Sequence, residues 1–166
     1  AETLKKAGLR VKLDDSDQSP GWKYAQYEMK GVPLRLEIGP RDIENGNCVL
    51  VRRDNREKTV VALDNLVEST QQMLKDFAKA IYEKAKANLE GNITPAHNIQ
   101  EMKDILQKRV GFVKAMWCGD EHCEEVIKNE TGMPSRCIPF EQEHIDDVCP
   151  VCGKPAKYMV IFGIAY

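Results

Sequence analysis

Residues 21–42 read GWKYAQYEMKGVPLRLEIGPRD and combine a helix pattern with a strand pattern. Tyr24 and Glu28 are about one helical turn apart, and the pattern around them predicts a short helix over residues 22–30. Gly31-Val32-Pro33 ends this helix, because proline has no backbone N–H and disfavours helical geometry in the residue before it. Leu34 to Ile38 then alternates apolar and charged residues, as a strand with one buried face does. A helix that leads straight into a strand indicates an α/β layer structure.

More strands and one long helix surround this stretch. Further strands are predicted at Leu9–Leu13, Cys48–Arg53 and Thr59–Ala62. The longest periodic segment, Leu66–Leu89, repeats apolar side chains at steps of three and four with one gap at Thr70, which predicts an amphipathic helix. Asp64 is its predicted N-cap and Gly91 its predicted stop. We therefore expect a first domain over residues 1–91, with a mixed sheet flanked by helices.

A small α/β domain is expected over residues 92–166. Asn92 to His97 is interpreted as a linker, and Asn98 with Glu101 forms a capping-box-like pair that begins a helix. The remaining predicted elements are strands at Phe112–Trp117, Arg136–Phe140 and Lys157–Phe162, and a helix at Asp120–Glu130. This domain is small and has few apolar residues for a core, so we expect a covalent crosslink or a bound metal to stabilise it.

Composition and charge exclude several classes of protein. Among the 166 residues, no apolar run approaches the ~20 residues of a membrane span. The first six residues are polar and lack an initiator Met, so we expect a fragment without a secretory signal. The net charge of −2 is not that of a generally basic nucleic-acid binder. Residues 1–60 nevertheless carry 12 Lys/Arg against 10 Asp/Glu, and residues 111–166 carry 5 against 9, so a polyanion would prefer the first third.

The cysteines predict a metal site. Cys118 and Cys123 form one close pair, and Cys149-Pro-Val-Cys152-Gly153 supplies a second pair 26 positions after the first. Two such pairs joined by a loop are typical of a closed tetrahedral thiolate site, which is structural and not catalytic zinc. Without a secretory signal we expect a reducing compartment, the cytoplasm, where paired cysteines bind metal more often than they form disulfides.

Other roles for these residues remain open from sequence alone. Cys149 and Cys152 alone have the spacing of a redox dithiol, and disulfides are a third interpretation. His122 or His144 could replace one cysteine as a ligand. Cys137 and Cys48 are both interpreted as small buried apolar residues.

The first 60 residues contain groups that can recognise unpaired bases. Aromatic side chains stack on bases, carboxylates accept the N1–H and N2–H donors of guanine, and Arg or Lys can bind its O6 and N7 acceptors. Glu28 or Asp42 combined with Arg35 or Lys58 would therefore favour guanine. A purely structural interpretation of these residues also stays open. Charges that alternate along a strand usually form its solvated face, and Trp22 and Tyr27 are typical core residues.

These motifs resemble a known family. Residues 21–42 followed by Val51-Arg52-Arg53-Asp54 look like the anticodon-binding domain of prolyl-tRNA synthetase. The tail with Cys118, Cys123, Cys149 and Cys152 resembles the C-terminal zinc domain of the eukaryote- and archaea-like branch of that enzyme. The resemblance covers nearly the whole chain, and both parts follow the family's order.

The resemblance implies a class II aminoacyl-tRNA synthetase that joins proline to tRNA(Pro) using ATP and Mg²⁺. Its catalytic domain would precede this chain, which should then supply tRNA recognition and structural Zn²⁺ but no catalytic residue. The family reads the two guanines of NGG anticodons with one aromatic, two acidic and two basic residues. By resemblance these are Tyr24, Glu28, Arg35, Asp42 and Lys58, of which Lys58 lies beyond a variable turn.

The resemblance also implies neighbours for the zinc domain. In the family this domain packs against the catalytic domain, and the carboxylate of a terminal tyrosine, here Tyr166, reaches toward the active site. The parent enzyme is expected to be a homodimer without a membrane partner. Two other classes remain as alternatives: a zinc-stabilised protein-interaction module without RNA specificity, and a thiol oxidoreductase that uses Cys149 and Cys152.

Overall fold

The computed structural model describes residues 1–108 and 111–164 and divides into two compact units, Ala1–Ala85 and Lys86–Tyr166. Each unit combines helices with a β-sheet, so the predicted α/β fold class is confirmed. Within the described ranges, no helix combines the length and the apolar character that a membrane span requires.

The first unit contains an antiparallel three-stranded sheet in the order β1-β2-β3, so the prediction of a mixed sheet in this unit was wrong. Its strands are β1 (Leu34–Glu37), β2 (Asn47–Arg52) and β3 (Lys58–Ala62), and its helices are α1 (Glu2–Lys6), α2 (Pro20–Met29), α3 (Pro40–Glu44) and the start of α4 (Leu66–Glu90). A single 3₁₀ turn, Leu63–Asn65, leads into α4, and Asp64, the predicted cap, lies inside that turn.

The alternation in the strands turns one face of this sheet toward the main core of the unit, and Val51 on the other face is buried as well. Leu50 and Cys48 of β2 are almost fully buried and form the core with Leu4, Val61 and Leu66. The first half of α4 covers this core, and Thr70, the gap in its apolar stripe, is itself buried because its hydroxyl donates to the Leu66 carbonyl at 2.7 Å. Side chains of the same strands with the opposite parity therefore lie on the other face of the sheet.

The second unit contains a mixed four-stranded sheet in the order β4-β5-β7-β6. Its elements are β4 (Ile93–Pro95), α5 (Ile99–Lys108), β5 (Phe112–Trp117), α6 (Glu121–Thr131), β6 (Ser135–Cys137) and β7 (Tyr158–Gly163). The pair β4-β5 is parallel, whereas β7 is antiparallel to both of its neighbours. The core of this unit contains Met102, Val113, Ile127, Met133 and Phe162.

Several sequence predictions need correction. Leu9–Leu13 forms no strand, because a strand needs a hydrogen-bonded partner and none of the described strands pairs with it. The predicted linker Asn92–His97 contains β4, which pairs with β5. The predicted strand Arg136–Phe140 is replaced by the shorter β6. Cys137 ends that edge strand and is exposed, so the prediction that it is buried was wrong, whereas Cys48 is fully buried as predicted.

Candidate anticodon-binding surface and metal centre

Helix α2 presents Tyr24 and Glu28 beside the sheet of the first unit. The helix begins after Ser19, whose hydroxyl accepts a hydrogen bond from the Trp22 N–H at 3.4 Å, and Pro20 occupies its first position. Both features favour a helix start, because a serine cap satisfies a free N–H and proline has none to satisfy. Tyr24 and Glu28, four residues apart, lie on one side of this helix and are partly buried.

The register of the sheet aligns the two predicted basic residues. Arg35 of β1 lies opposite Val51 of β2, and Val51 lies opposite Lys58, the first residue of β3. Residues paired in this way point to the same face of a sheet, so Arg35 and Lys58 share the face that is turned away from the core. The turn between β2 and β3 thus places Lys58, and not Arg56, in line with Arg35.

Arg35 is held by three groups. Its guanidinium carbon lies 3.7 Å from the ring centroid of Tyr24, its Nη1 donates to Glu28 Oε1 at 2.9 Å, and its Nε donates to Glu37 Oε1 at 2.8 Å. Stacking on an aromatic ring and charge-assisted hydrogen bonds both restrict the orientation of the planar guanidinium group of Arg35. The structure therefore brings three of the predicted residues, Tyr24, Glu28 and Arg35, into direct contact.

Glu37 is a central residue of this surface that the sequence reasoning missed. Its second oxygen, Oε2, lies 3.3 Å from Lys58 Nζ. Burial by itself raises the pKa of Glu37, but the hydrogen bonds from Arg35 and Lys58 outweigh it and lower the pKa below its ordinary value. Glu28, Arg35, Glu37 and Lys58 form a row of alternating charges, which we call the charge row. The missed signal was the i, i+2 spacing of Arg35 and Glu37, which puts both on one face of β1.

Asp42, the fifth predicted residue, has a different environment. It is the third residue of α3, and its Oδ2 accepts a hydrogen bond from the Gly39 N–H at 2.8 Å. Among the described residues, no hydrogen bond or ion pair joins Asp42 to the charge row. Trp22, by contrast with its interpretation as a core residue, is half exposed.

A small cavity lies between α2 and the sheet. It is lined by Tyr24, Tyr27, Glu28, Val32, Arg35, Val51 and Arg53. The guanidinium of Arg53 lies 5.4 Å from the ring centroid of Phe77 in α4, and its buried Nε finds no hydrogen-bond partner within the described part of the chain. This concavity is therefore lined by two aromatic rings, one carboxylate and two guanidinium groups.

The second unit brings together the four predicted metal ligands. Cys118 follows β5, Cys123 lies in the first turn of α6 after the N-cap Asp120, and Cys149 and Cys152 belong to one tight turn. In that turn the Gly153 N–H donates to the Cys149 carbonyl at 3.0 Å, and Gly153 has a φ of 68°, a left-handed geometry that glycine adopts without strain.

The sulfur atoms have the spacing of a tetrahedral thiolate site. All four Sγ atoms lie within 4.8 Å of one another, and Cys118 Sγ and Cys152 Sγ are 3.8 Å apart. A tetrahedron with Zn–S bonds of about 2.3 Å has sulfur–sulfur edges of about 3.8 Å. No disulfide joins these cysteines, all of which are free thiols. The four residues therefore fit one metal ion.

The pKa values of the thiols indicate that a bound cation would be needed to keep all four of them ionised. Burial raises the pKa of Cys118 and of Cys123, while the backbone N–H of Lys154 lowers the pKa of the exposed Cys152 to about 7. Four thiolates in such close proximity would repel one another, so a cation is needed to hold them all ionised. The group of possible ligands among the described residues contains the four cysteines and neither His122 nor His144, and His144 instead lies 2.9 Å from Asp147.

The predicted role of Tyr166 concerns a residue outside the described part of the chain, which ends at residue 164.

Comparison with known proteins assigns both units. The family model described as "Anticodon binding domain" matches residues 1–73, which include the charge row. The first unit thus belongs to the class of anticodon-binding domains. The model "Prolyl-tRNA synthetase, C-terminal" matches residues 99–166, which include all four clustered cysteines.

Individual relatives give the same assignment. The chain is 54% identical over 158 residues to a proline--tRNA ligase of Clostridium botulinum (strain Okra / Type B1), and this match covers 95% of the chain and 33% of the relative. It is 52% identical over 165 residues to the proline--tRNA ligase of Lachnospira eligens, covering 99% of the chain and 34% of that protein. A crystal structure of prolyl-tRNA synthetase from Cryptosporidium parvum, complexed with L-proline and AMP, matches with a TM-score of 0.91 and 41% identity over 98% of the chain and 35% of that structure.

The chain belongs to the prolyl-tRNA synthetase family and corresponds to its non-catalytic C-terminal part. It spans about a third of the length of the curated relatives that it matches.

Proposed function

We propose that the first unit recognises the two guanines of NGG anticodons in tRNA(Pro). The observation that carries this proposal is the charge row beside Tyr24: two carboxylates and two cations alternate between α2 and the sheet face that is turned away from Leu50, next to an aromatic ring. A carboxylate accepts the N1–H and N2–H donors of guanine, and a cation binds its O6 and N7 acceptors. No other base offers both sets of groups in this arrangement.

In this proposal each predicted residue has a distinct task. Tyr24 stacks on a base, Glu28 and Asp42 accept the guanine donors, and Arg35 and Lys58 bind the guanine acceptors. One oxygen of Glu28 already accepts from Arg35, while Glu28 Oε2 lies 3.9 Å from the exposed Arg56 and can turn to a ligand. Asp42 keeps one oxygen on the cap of α3 and has its second for the RNA.

For the second unit we propose a structural Zn²⁺ bound by Cys118, Cys123, Cys149 and Cys152. The sulfur spacing and the number of thiols support zinc, since four thiolates close a tetrahedral site and leave no position for a substrate. The ion would hold the 118–123 segment against the turn that contains Cys149 and Cys152.

We further propose the context that the family supplies. The parent enzyme would join proline to tRNA(Pro) with ATP and Mg²⁺ in a catalytic domain outside this chain, as a cytoplasmic homodimer without a membrane partner. The functional domains would be residues 1–91 and 92–166. The carboxylate of Tyr166 would approach the active site of the full enzyme.

The test is fluorescence anisotropy of this chain with two anticodon stem-loops, one carrying UGG and one with both guanines replaced, at low and at moderate salt. We expect a preference for UGG that survives added salt, because salt weakens mainly the phosphate contribution. Glu28→Ala and Arg35→Ala should abolish the preference. Equal binding to both stem-loops would overturn the proposal, and the chain would then be tested as a zinc-stabilised protein-interaction module.

A further inference from the structure

We infer that Glu37 is a positioning residue for guanine recognition: it holds Arg35 and Lys58 with its two carboxylate oxygens and so leaves one oxygen of Glu28 available to the RNA. This inference rests on the proposed anticodon-reading function. It adds a residue to the predicted set and assigns it a role without contact to the base.

The first step of the argument is geometric. Arg35 and Lys58 belong to β1 and β3, which are separated by β2, so no backbone hydrogen bonds connect their strands directly. Glu37, which lies opposite Val49 of β2, crosses this gap, with Oε1 2.8 Å from Arg35 Nε and Oε2 3.3 Å from Lys58 Nζ. The side chains of Glu37 and Arg35 are each only about one-fifth exposed, whereas that of Lys58 is 61% exposed. The carboxylate of Glu37 therefore holds two cations in place. Lys58, the more exposed of the two, is the one whose position depends most on this contact.

The second step concerns competition between carboxylates. Arg35 is bonded to Glu28 through Nη1 and to Glu37 through Nε. An arginine fork prefers a bidentate carboxylate partner. If Glu37 lost its charge, Arg35 would shift toward Glu28 and occupy both oxygens that are proposed to accept from guanine. Because Glu37 accepts the hydrogen bond from Arg35 Nε, Arg35 binds only one oxygen of Glu28, and the other oxygen stays available to accept from the base.

The chain offers a matched control in Asp54. Its Oδ2 lies 2.7 Å from Arg52 Nη2 and its Oδ1 3.0 Å from Arg52 Nε, so it also binds an arginine through Nε. Glu37→Gln and Asp54→Asn each remove one negative charge and one carboxylate–arginine pair. Asp54 has no contact with the charge row among the described residues. Any general effect of charge on RNA affinity should therefore be the same in both variants.

The first measurement needs no RNA. In ¹⁵N NMR spectra of the full chain, the side-chain Nε–H of Arg35 and of Arg52 should each give a signal protected from solvent exchange, assigned with Arg35→Lys and Arg52→Lys. Glu37→Gln should remove the protection of the Arg35 signal only, and Asp54→Asn that of the Arg52 signal only. Because the Gln carbonyl is a weaker acceptor than a carboxylate, an Arg35 signal in Glu37→Gln that is as well protected as in the wild type would overturn the inference.

The second measurement is the ratio of the two dissociation constants, guanine-replaced stem-loop over UGG stem-loop. Glu37→Gln should lower this ratio about tenfold, within the range that one bidentate base contact supplies, while Asp54→Asn leaves it unchanged. Thermal unfolding of both variants should agree within a few degrees, which separates positioning from loss of structure. If the wild type prefers UGG and Glu37→Gln keeps that preference, the inference fails alone. If the wild type shows no preference, the proposed function fails and the inference fails with it.

Discussion

Replacing one metal ligand should destabilise the second unit and leave the first unit unchanged. We choose Cys149→Ser, because Cys149 is buried and starts the turn that faces Cys118 and Cys123. The matched control is Cys137→Ser, the same chemical change at an exposed cysteine of the same unit that lies outside the cluster.

The size of the effect follows from the chain that the ion closes. A metal that joins Cys123 to Cys149 closes a loop of 26 residues, for which the chain-entropy model of a crosslink gives about 3.5 kcal/mol. A unit of this size has a free energy of unfolding of roughly 4–12 kcal/mol, so the loss is a large part of the total. For a domain of this length, that loss of free energy lowers the thermal unfolding midpoint by about 15–25 °C.

The two tryptophans allow each unit to be followed separately. Trp117 precedes Cys118, its ring N–H donates to the Asp120 carbonyl at 3.1 Å, and Trp22 belongs to the first unit. Fluorescence-detected unfolding in a Trp22→Phe background reports the second unit, and a Trp117→Phe background reports the first. Cys149→Ser should lower the Trp117 midpoint, and Cys137→Ser should not.

Two results would refute this reasoning. An unchanged Trp117 midpoint in Cys149→Ser would show that the cysteine cluster holds no stabilising ion. An equal fall in both midpoints would show that the units do not unfold separately, so that the proposed domain boundary would have to be abandoned.

Three further predictions concern the first unit. Hydrogen bonds from Ser16 lower the pKa of Asp14 to about 2, so the stability that Asp14 supplies is present above its unfolded pKa of about 3.9 and is lost as the pH falls toward 2. Asp14→Asn should therefore make the thermal unfolding midpoint of the first unit depend less on pH between about 3.9 and 2. An unchanged pH dependence would contradict the lowered pKa of Asp14. Leu50→Ala should lower the free energy of unfolding by about 2–5 kcal/mol because it opens a fully buried site, measured by urea titration, with a loss below this range counting against the described core. Ser19→Ala removes the cap of α2 and should cost about 1 kcal/mol in the same titration, together with weaker UGG binding; a neutral result would show that the cap does not hold the helix.

The sequence predicted those elements whose signals are local. The helix begun by Asn98 and Glu101 was found because its cap is a property of neighbouring residues. The Glu101 N–H donates to Asn98 Oδ1 at 2.9 Å, and the Glu101 carboxylate accepts from the Asn98 side-chain amide and from the His97 N–H, both at 2.8 Å. β5 was predicted with its bounds, Phe112–Trp117, as a strand-like segment that follows Gly111 and runs into Cys118. The cysteine pairs were equally readable, because ligand type and spacing determine how a chain can surround an ion.

Which residues meet across the sheets became visible only in the folded chain. The proximity of Glu37 to Lys58 depends on the register of three strands, and Asp42 is engaged by the cap of α3 through a geometry that its spacing alone did not reveal. Cys137 is exposed because β6 became an edge strand, and Ile93–Pro95 is a strand because β5 offered a parallel partner. Pairing between distant segments has no local sequence signal, since it depends on what each strand finds beside it after folding. Residue order alone was enough to predict the family, the four longer helices and the grouping of four cysteines, because these depend on local patterns. Which charges face one another on the proposed anticodon-reading surface depends on the folded chain.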